Sequence, residues 1–151
     1  IAPSTLQEVF SLREGDLFDA SVVREGLEEL TRAYGEQGYV DATIDPEFEV
    51  NQTNHTIALR LNIDEQVPYR IGGVNALGVD SEMKNEIRSA LKSGDVFKSQ
   101  SFNAFLNEFL RKHSGALPPE VSYRDVRMDR DVKRRTLSIQ IDFRSCEQIP
   151  K

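Results

Sequence analysis

Two imidazoles, His55 and His113, and one thiol, Cys146, are the side chains best suited to act as general base, metal ligand or nucleophile. Neither histidine has a Ser, Cys or carboxylate at a spacing that spells a triad or a metal motif. A lone cysteine rules out an internal disulfide and a four-cysteine zinc site. Cys146 follows the last strand-like segment, beside Arg144, so a tail or linker position is the plainer reading and a reactive thiol the alternative. Gly35-Glu36-Gln37-Gly38 spells a GxxG loop, a pattern that can cradle phosphate, but it carries a glutamate and runs into a strand-like segment. The chain has 25 acidic and 19 basic side chains and a net charge of −6, which repels phosphate. Its one basic run, Lys133-Arg134-Arg135, falls between two strand-like segments and reads as a solvated hairpin turn.

What remains is the chemistry of the backbone. Val40, Ala42, Ile44, Phe48 and Val50 alternate with Asp41, Thr43, Asp45, Glu47 and Glu49, the pattern of a strand with one wet face. Pro46 cannot donate to a ladder, which puts this strand at a sheet edge. An edge strand offers unpaired N–H and C=O groups to another chain. Its outward acidic row is equally the protection an edge needs against aggregation, and both readings stand.

The elements that position this edge are announced by a repeat. Leu12-Arg13-Glu14-Gly15-Asp16-Leu17-Phe18 returns as Leu91-Lys92-Ser93-Gly94-Asp95-Val96-Phe97, 79 positions later (91 − 12). The closing strands Leu59, Leu61, Ile63 and Leu137, Ile139, Ile141 match at an offset of 78 (137 − 59). A period this long means one structural unit used twice. Units of this size bury only about 60% of their unfolded surface, so each should lean on its neighbour.

In the first unit Leu6, Val9 and Phe10 place a short helix over Thr5–Leu12, ending at Gly15. Val23, Leu27, Leu30 and Tyr34 make a second helix that Gly35 and Gly38 are expected to stop. Phe18 is expected to pin the intervening loop to the core. Val40–Val50 is the edge strand, Asn51–Asn54 the turn, and Ile57–Ile63 an antiparallel partner suited to the sheet interior. In the second unit Tyr69–Ala76 opens as a strand with a bulge at Gly72-Gly73. Val79, Met83, Ile87 and Leu91 form one helix, and Phe102, Phe105, Leu106, Phe109, Leu110 and His113 the next. Val121–Met128, out of phase near Arg124 or Asp125, and Thr136–Arg144 close the unit.

This order resembles the POTRA (polypeptide-transport-associated) domain of outer-membrane barrel-assembly and translocation proteins of the bacterial surface antigen type. The residues that carry the resemblance are Gly15, Asp16 and Phe18; Leu27, Leu30, Tyr34, Gly38 and Tyr39; Asp64-Glu65; Tyr69-Arg70-Ile71-Gly72; and Gly94, Asp95 and Phe97. It implies an α+β fold of two tandem POTRA-like domains, each β-α-α-β-β with two helices on a three-stranded mixed sheet. The expected units are residues 1–66, lacking a visible opening strand, and 67–145, with 146–151 as tail or linker. Three features depart from the family pattern: Gln66 stands where glycine is usual, Leu117-Pro118-Pro119 replaces Gly-Tyr, and the first unit shows no opening strand.

The resemblance further implies a non-enzymatic module at the periplasmic face of the outer membrane, with a membrane barrel in the full-length protein. It implies binding of unfolded outer-membrane polypeptides or accessory envelope proteins by edge-strand addition. The residues it nominates are Val40, Asp41, Ala42, Thr43, Ile44 and Asp45, with Val121, Ser122, Tyr123 and Arg124 as their counterparts. No cofactor, metal, nucleic acid or small-molecule substrate is implied. Rival readings are a module docking a specific folded partner, as in two-partner secretion or cell division, and, remotely, a KH-like nucleic-acid binder. No apolar run approaches the roughly 20 residues of a membrane helix, and Ile1-Ala2-Pro3 lacks signal-peptide regions, so a soluble chain or a processed fragment is expected.

Overall fold

The computed structural model describes residues 9–10, 13–118 and 125–145. The first unit contains α1 (Ala20–Glu36), β1 (Thr43–Asn51) and β2 (Thr56–Asp64). The second contains β3 (Arg70–Leu77), α2 (Ser81–Ala90), α3 (Ser99–Lys112), β4 (Val126–Asp131) and β5 (Thr136–Asp142).

α1 starts where the Asp19 carboxylate accepts from the Ser21 amide at 2.8 Å, satisfying one of the donors a helix start leaves unpaired. Val23, Leu30 and Tyr34 form its buried stripe, with Leu27 half-buried beside them. Gly35, expected to end this helix, lies inside it. α1 continues to Glu36 and is closed by the Gln37 and Tyr39 amides donating to the Tyr34 carbonyl. The predicted helix over Thr5–Leu12 falls almost wholly outside the described residues. Phe10, which is described, packs on Gly26, where an added Cβ would meet its ring at 2.5 Å.

β1 and β2 pair antiparallel from Thr43↔Asp64 to Asn51↔Thr56. Val40, Asp41 and Ala42, expected on the strand, instead form a turn closed by the Ala42 amide on the Tyr39 carbonyl at 3.2 Å. Their alternation suits a strand, but Val40 packs against the core of the second unit and Asp41 pairs with Arg130, so tertiary contact overrides the pattern. Among the described residues β1 pairs on one side only, which leaves the open edge that Pro46 leads one to expect. β2, expected in the sheet interior, pairs only with β1 among the described residues, because no described strand takes the place that β3 holds in the second unit.

The second sheet has the order β3-β5-β4, with β3 parallel and β4 antiparallel to β5. The predicted bulge is present as a register shift between Ile71 and Gly73. α2 is capped by Asp80, whose carboxylate accepts from the Met83 amide at 2.8 Å. Tyr69, Ile87, Phe109, Leu137, Ile141 and Phe143, each at most 1% exposed, anchor a core closed by both helices on one face of the sheet. β4 begins at Val126; Val121, Ser122, Tyr123 and Arg124 lie outside the described residues, as do Pro119 and Cys146.

The two hairpin turns match in detail. Asn51 Oδ1 accepts from the Thr53 and Asn54 amides, and Asp131 Oδ1 from the Arg134 amide. His55 and Arg135 then take left-handed conformations, φ 55° and 54°. The basic run Lys133–Arg135 is thus a hairpin turn, as its position between strands predicts.

Candidate functional site

Among the described residues both sheets end in a strand with one unpaired edge, β1 in the first unit and β4 in the second. Thr43, Asp45, Glu47 and Glu49 point to solvent along β1. Arg60 on β2 lies 4.0 Å from Glu47 and 3.2 Å from Glu49, which partly neutralises the acidic row. These are exposed pairs and contribute little stability. On the other face Ile44 and Pro46 are half-buried, whereas Phe48 and Val50 are 46% and 65% exposed. Phe48 meets Phe18 edge to face at 5.8 Å, and Leu17 stands in solvent at 92% exposure. Along β4, Val126 and Met128 are half-buried, and Arg127 pairs with Asp129 at 3.2 Å.

The motif residues fall into three groups. Gly15 and Gly94 take φ of 94° and 91°, the left-handed conformation that favours glycine. After Gly15 the Asp16 carboxylate accepts from the Arg13 amide at 2.8 Å. After Gly94 the loop zips onto β3: Gly94 N–H donates to the Ile71 carbonyl, Ile71 N–H to the Asp95 carbonyl, and Phe97 N–H to the Tyr69 carbonyl. The second group is Tyr34 and Tyr39, edge to face at 5.9 Å. Tyr34 donates from its hydroxyl to Glu65 Oε1 at 3.0 Å. Burial, and then the Glu65 carboxylate, push the Tyr34 pKa up to about 12.

Gly38 belongs to the third group, the junction between units. Its φ is 89°, its carbonyl accepts from the Tyr69 amide at 2.9 Å, and a Cβ there would meet the Tyr69 carbonyl at 2.9 Å. Burial, and then the Asp41 carboxylate, raise the Tyr69 pKa. Asp41 also meets Arg130 at 2.9 Å, so of the nominated residues Asp41 faces the second unit while Thr43, Ile44 and Asp45 lie on β1. Glu36 reaches the start of α3, where its carboxylate accepts from the Gln100 and Ser101 amides. Sequence reasoning did not nominate Gly35, Glu36 or Arg130. The sequence hid Glu36, because Ser99 and Ser101 read as local caps and only the structure puts Lys98, which makes no side-chain capping bond, at the N-cap of α3.

His113 occupies the position of Tyr34 in the repeat. It is half-buried, lies 4.6 Å from the Phe109 ring, and meets Glu86 Oε2 at 3.0 Å, with Lys112 on the same carboxylate. Hydrogen bonds from Lys112, then His113, hold Glu86 below the usual carboxylate range. His55 sits exposed in the β1–β2 turn. Among the described residues no cluster of His, Cys, Asp and Glu is arranged to hold a metal ion, and no helix is long and apolar enough to cross a membrane.

The helix pair on a mixed sheet, whose last strand lies between the first and its hairpin partner, is the fold of the POTRA domains among solved structures. Residues 1–66 match the POTRA family model, described as the surface antigen variable number repeat. Among solved structures, the chain is similar to POTRA3-5 of BamA from Haemophilus influenzae, with 21% identity and a TM-score of 0.72 over 94% of this chain and 60% of that one. It is similar to BamA from Haemophilus ducreyi lacking POTRA domains 1-3, with 16% identity and a TM-score of 0.69 over 93% of this chain and 26% of that one. POTRA1-2 of the periplasmic domain of Omp85 from Anabaena aligns with 9% identity and a TM-score of 0.54 over 96% and 88% of the two chains. The chain thus spans 60% or less of the two BamA chains. No curated protein matches it in sequence.

Proposed function

We propose that this chain is a periplasmic protein-binding arm of an outer-membrane protein assembly factor, taking up extended polypeptide by adding it as a strand to a sheet edge. The supporting observation is the open edge of β1, nine residues from Thr43 to Asn51, paired on its other side to β2. The POTRA assignment and the BamA and Omp85 likenesses support the envelope setting, with a barrel elsewhere in the full-length protein. The work is recognition rather than catalysis. Pairing through the backbone reads no side-chain sequence, which suits clients as varied as nascent barrel strands. Each hydrogen bond gained nets about 1 kcal/mol, whereas ordering a ligand residue costs about 1 to 2 kcal/mol, so uptake is weak and reversible, as a hand-over requires.

A second reading is docking of a folded accessory protein. It is favoured by the exposed Leu17, Phe18, Phe48 and Val50, an apolar group large for a small surface. An NMR titration with an unfolded outer-membrane strand peptide separates the two. Shifts confined to Thr43–Asn51 or Val126–Asp131, lost for β1 in Ile44→Pro, whose N–H lies on the same side of the strand as that of position 46, support strand addition. Silence at millimolar peptide, with a folded Ile44→Pro protein behaving as wild type, removes it in favour of a folded partner.

A further inference from the structure

The geometry points to Glu36 as the pin that fixes the angle between the two units, a carboxylate at the end of one unit's helix serving as N-cap for a helix of the next. A helix start leaves its first amides without partners, and its dipole favours negative charge there. α2 solves this within its own unit through Asp80. α3 does not: its N-cap residue, Lys98, makes no side-chain capping bond. Glu36 supplies the cap from across the junction. Its Oε1 accepts from the Gln100 amide at 2.6 Å and the Ser101 amide at 3.4 Å, and its Oε2 accepts from the Ser101 hydroxyl at 3.1 Å.

This cap is directional, because the carboxylate must lie over the end of α3, and Glu36 is itself held in the last turn of α1. The neighbouring residue makes the approach feasible. An added Cβ on Gly35 would stand 2.3 Å from Ser99 Oγ and 3.4 Å from Ser99 Cβ, so glycine leaves the Ser99 hydroxyl room at the closest approach of the helices. Further contacts reach other elements of the second unit: the Gly38 carbonyl takes the Tyr69 amide, Asp41 meets Arg130 on β4, and Val40 packs against the core. Attachments to α3, to the start of β3 and to β4 leave little freedom for one unit to turn on the other. The Tyr69 bond belongs to the connection itself, and the Arg130 pair is about half exposed and weak in water. The Val40 packing is apolar and non-directional, so the Glu36 cap is the attachment that decides the angle.

The test is residual dipolar couplings and amide exchange on the whole chain. In the wild type, couplings from both units fit one alignment tensor. In Glu36→Ala, the Gln100 and Ser101 amides exchange roughly fivefold faster, as expected for a lost cap, and the units require separate tensors. The Met83 amide, capped within its own unit, keeps its rate and reports that the fold is intact. Glu36→Gln keeps a neutral acceptor and falls between. Gly35→Val forces the helices apart and also separates the tensors. A single tensor retained in Glu36→Ala overturns the inference, whether or not the cap amides exchange faster or Gly35→Val separates the tensors.

Discussion

Phe18 and Phe97 follow the same Gly-Asp pair, yet Phe97 is 3% exposed and Phe18 46%. The motif is common to both; the backing is not. In the second unit the loop is hydrogen-bonded along β3, which turns Phe97 into the core beside Phe102 at 5.7 Å. In the first, no described strand stands behind the loop, and Phe18 meets the outer end of β1 through Phe48. A turn motif sets local backbone shape, and burial is conferred by the strand it lies against. The consequence is an arm with one densely cored unit and one lightly cored unit held to it.

The sharpest way to break this contrast is truncation. Phe97→Ala should cost about 3 to 5 kcal/mol and Phe18→Ala less than about 1 kcal/mol, read from urea unfolding followed by probes in each unit. Equal losses would mean that Phe18 is as firmly backed as Phe97.

The next contrast lies in pH. Tyr34 and His113 are equivalent, and each faces a carboxylate, but with opposite consequences. Because the Tyr34 pKa is raised to about 12 from 10.0, its contribution is complete below pH 10 and is lost as pH climbs through 12, a fall of the order of 2 to 3 kcal/mol. Tyr34→Phe should flatten that alkaline limb. The lowered Glu86 works the other way, since its contribution is present above the ordinary value of 4.5 and disappears as pH falls through its folded value. Unit-resolved unfolding should therefore lose the Tyr34 contribution in base within the first unit and the Glu86 contribution in acid within the second, beside the alkaline loss that the raised Tyr69 brings at the junction. Loss of both units together at both extremes would show the pair melting as one.

The smallest effect sharpens the likeness rather than the difference. His55→Gly and Arg135→Gly relieve the same left-handed strain and should each add up to about 1 kcal/mol, measured as a rise in unfolding midpoint. Unequal gains would mean the hairpin turns are not equivalent.

The repeat was legible because its carriers are local: the Gly-Asp turns, the helical stripes, the Gly72-Gly73 bulge and the Lys133–Arg135 turn all depend on residues near in sequence. Helix α3 was read almost to its ends, because its apolar positions recur over three turns. The errors gather at the junction. Val40 and Asp41 alternate as strand residues should, and only their contacts with the second unit hold them in a turn. Gly35 looked like a helix stop because glycine usually is one; here it stays helical to let Ser99 approach. Nothing near Glu36 in sequence announces that its carboxylate serves a helix more than sixty residues later. Of the nominated edge, Thr43, Ile44 and Asp45 were placed by period alone, whereas whether an edge stays open depends on which strands assemble beside it.

In the second sheet the last strand in sequence, β5, is the middle one in space, flanked by β3 and β4. Residues following Asp142 therefore depart from the centre of the sheet, and the Phe143 amide is still tied to the Leu77 carbonyl as they leave. Joining such modules end to end consumes no outer strand. A string of them can lengthen with its outer strands left out of the joints.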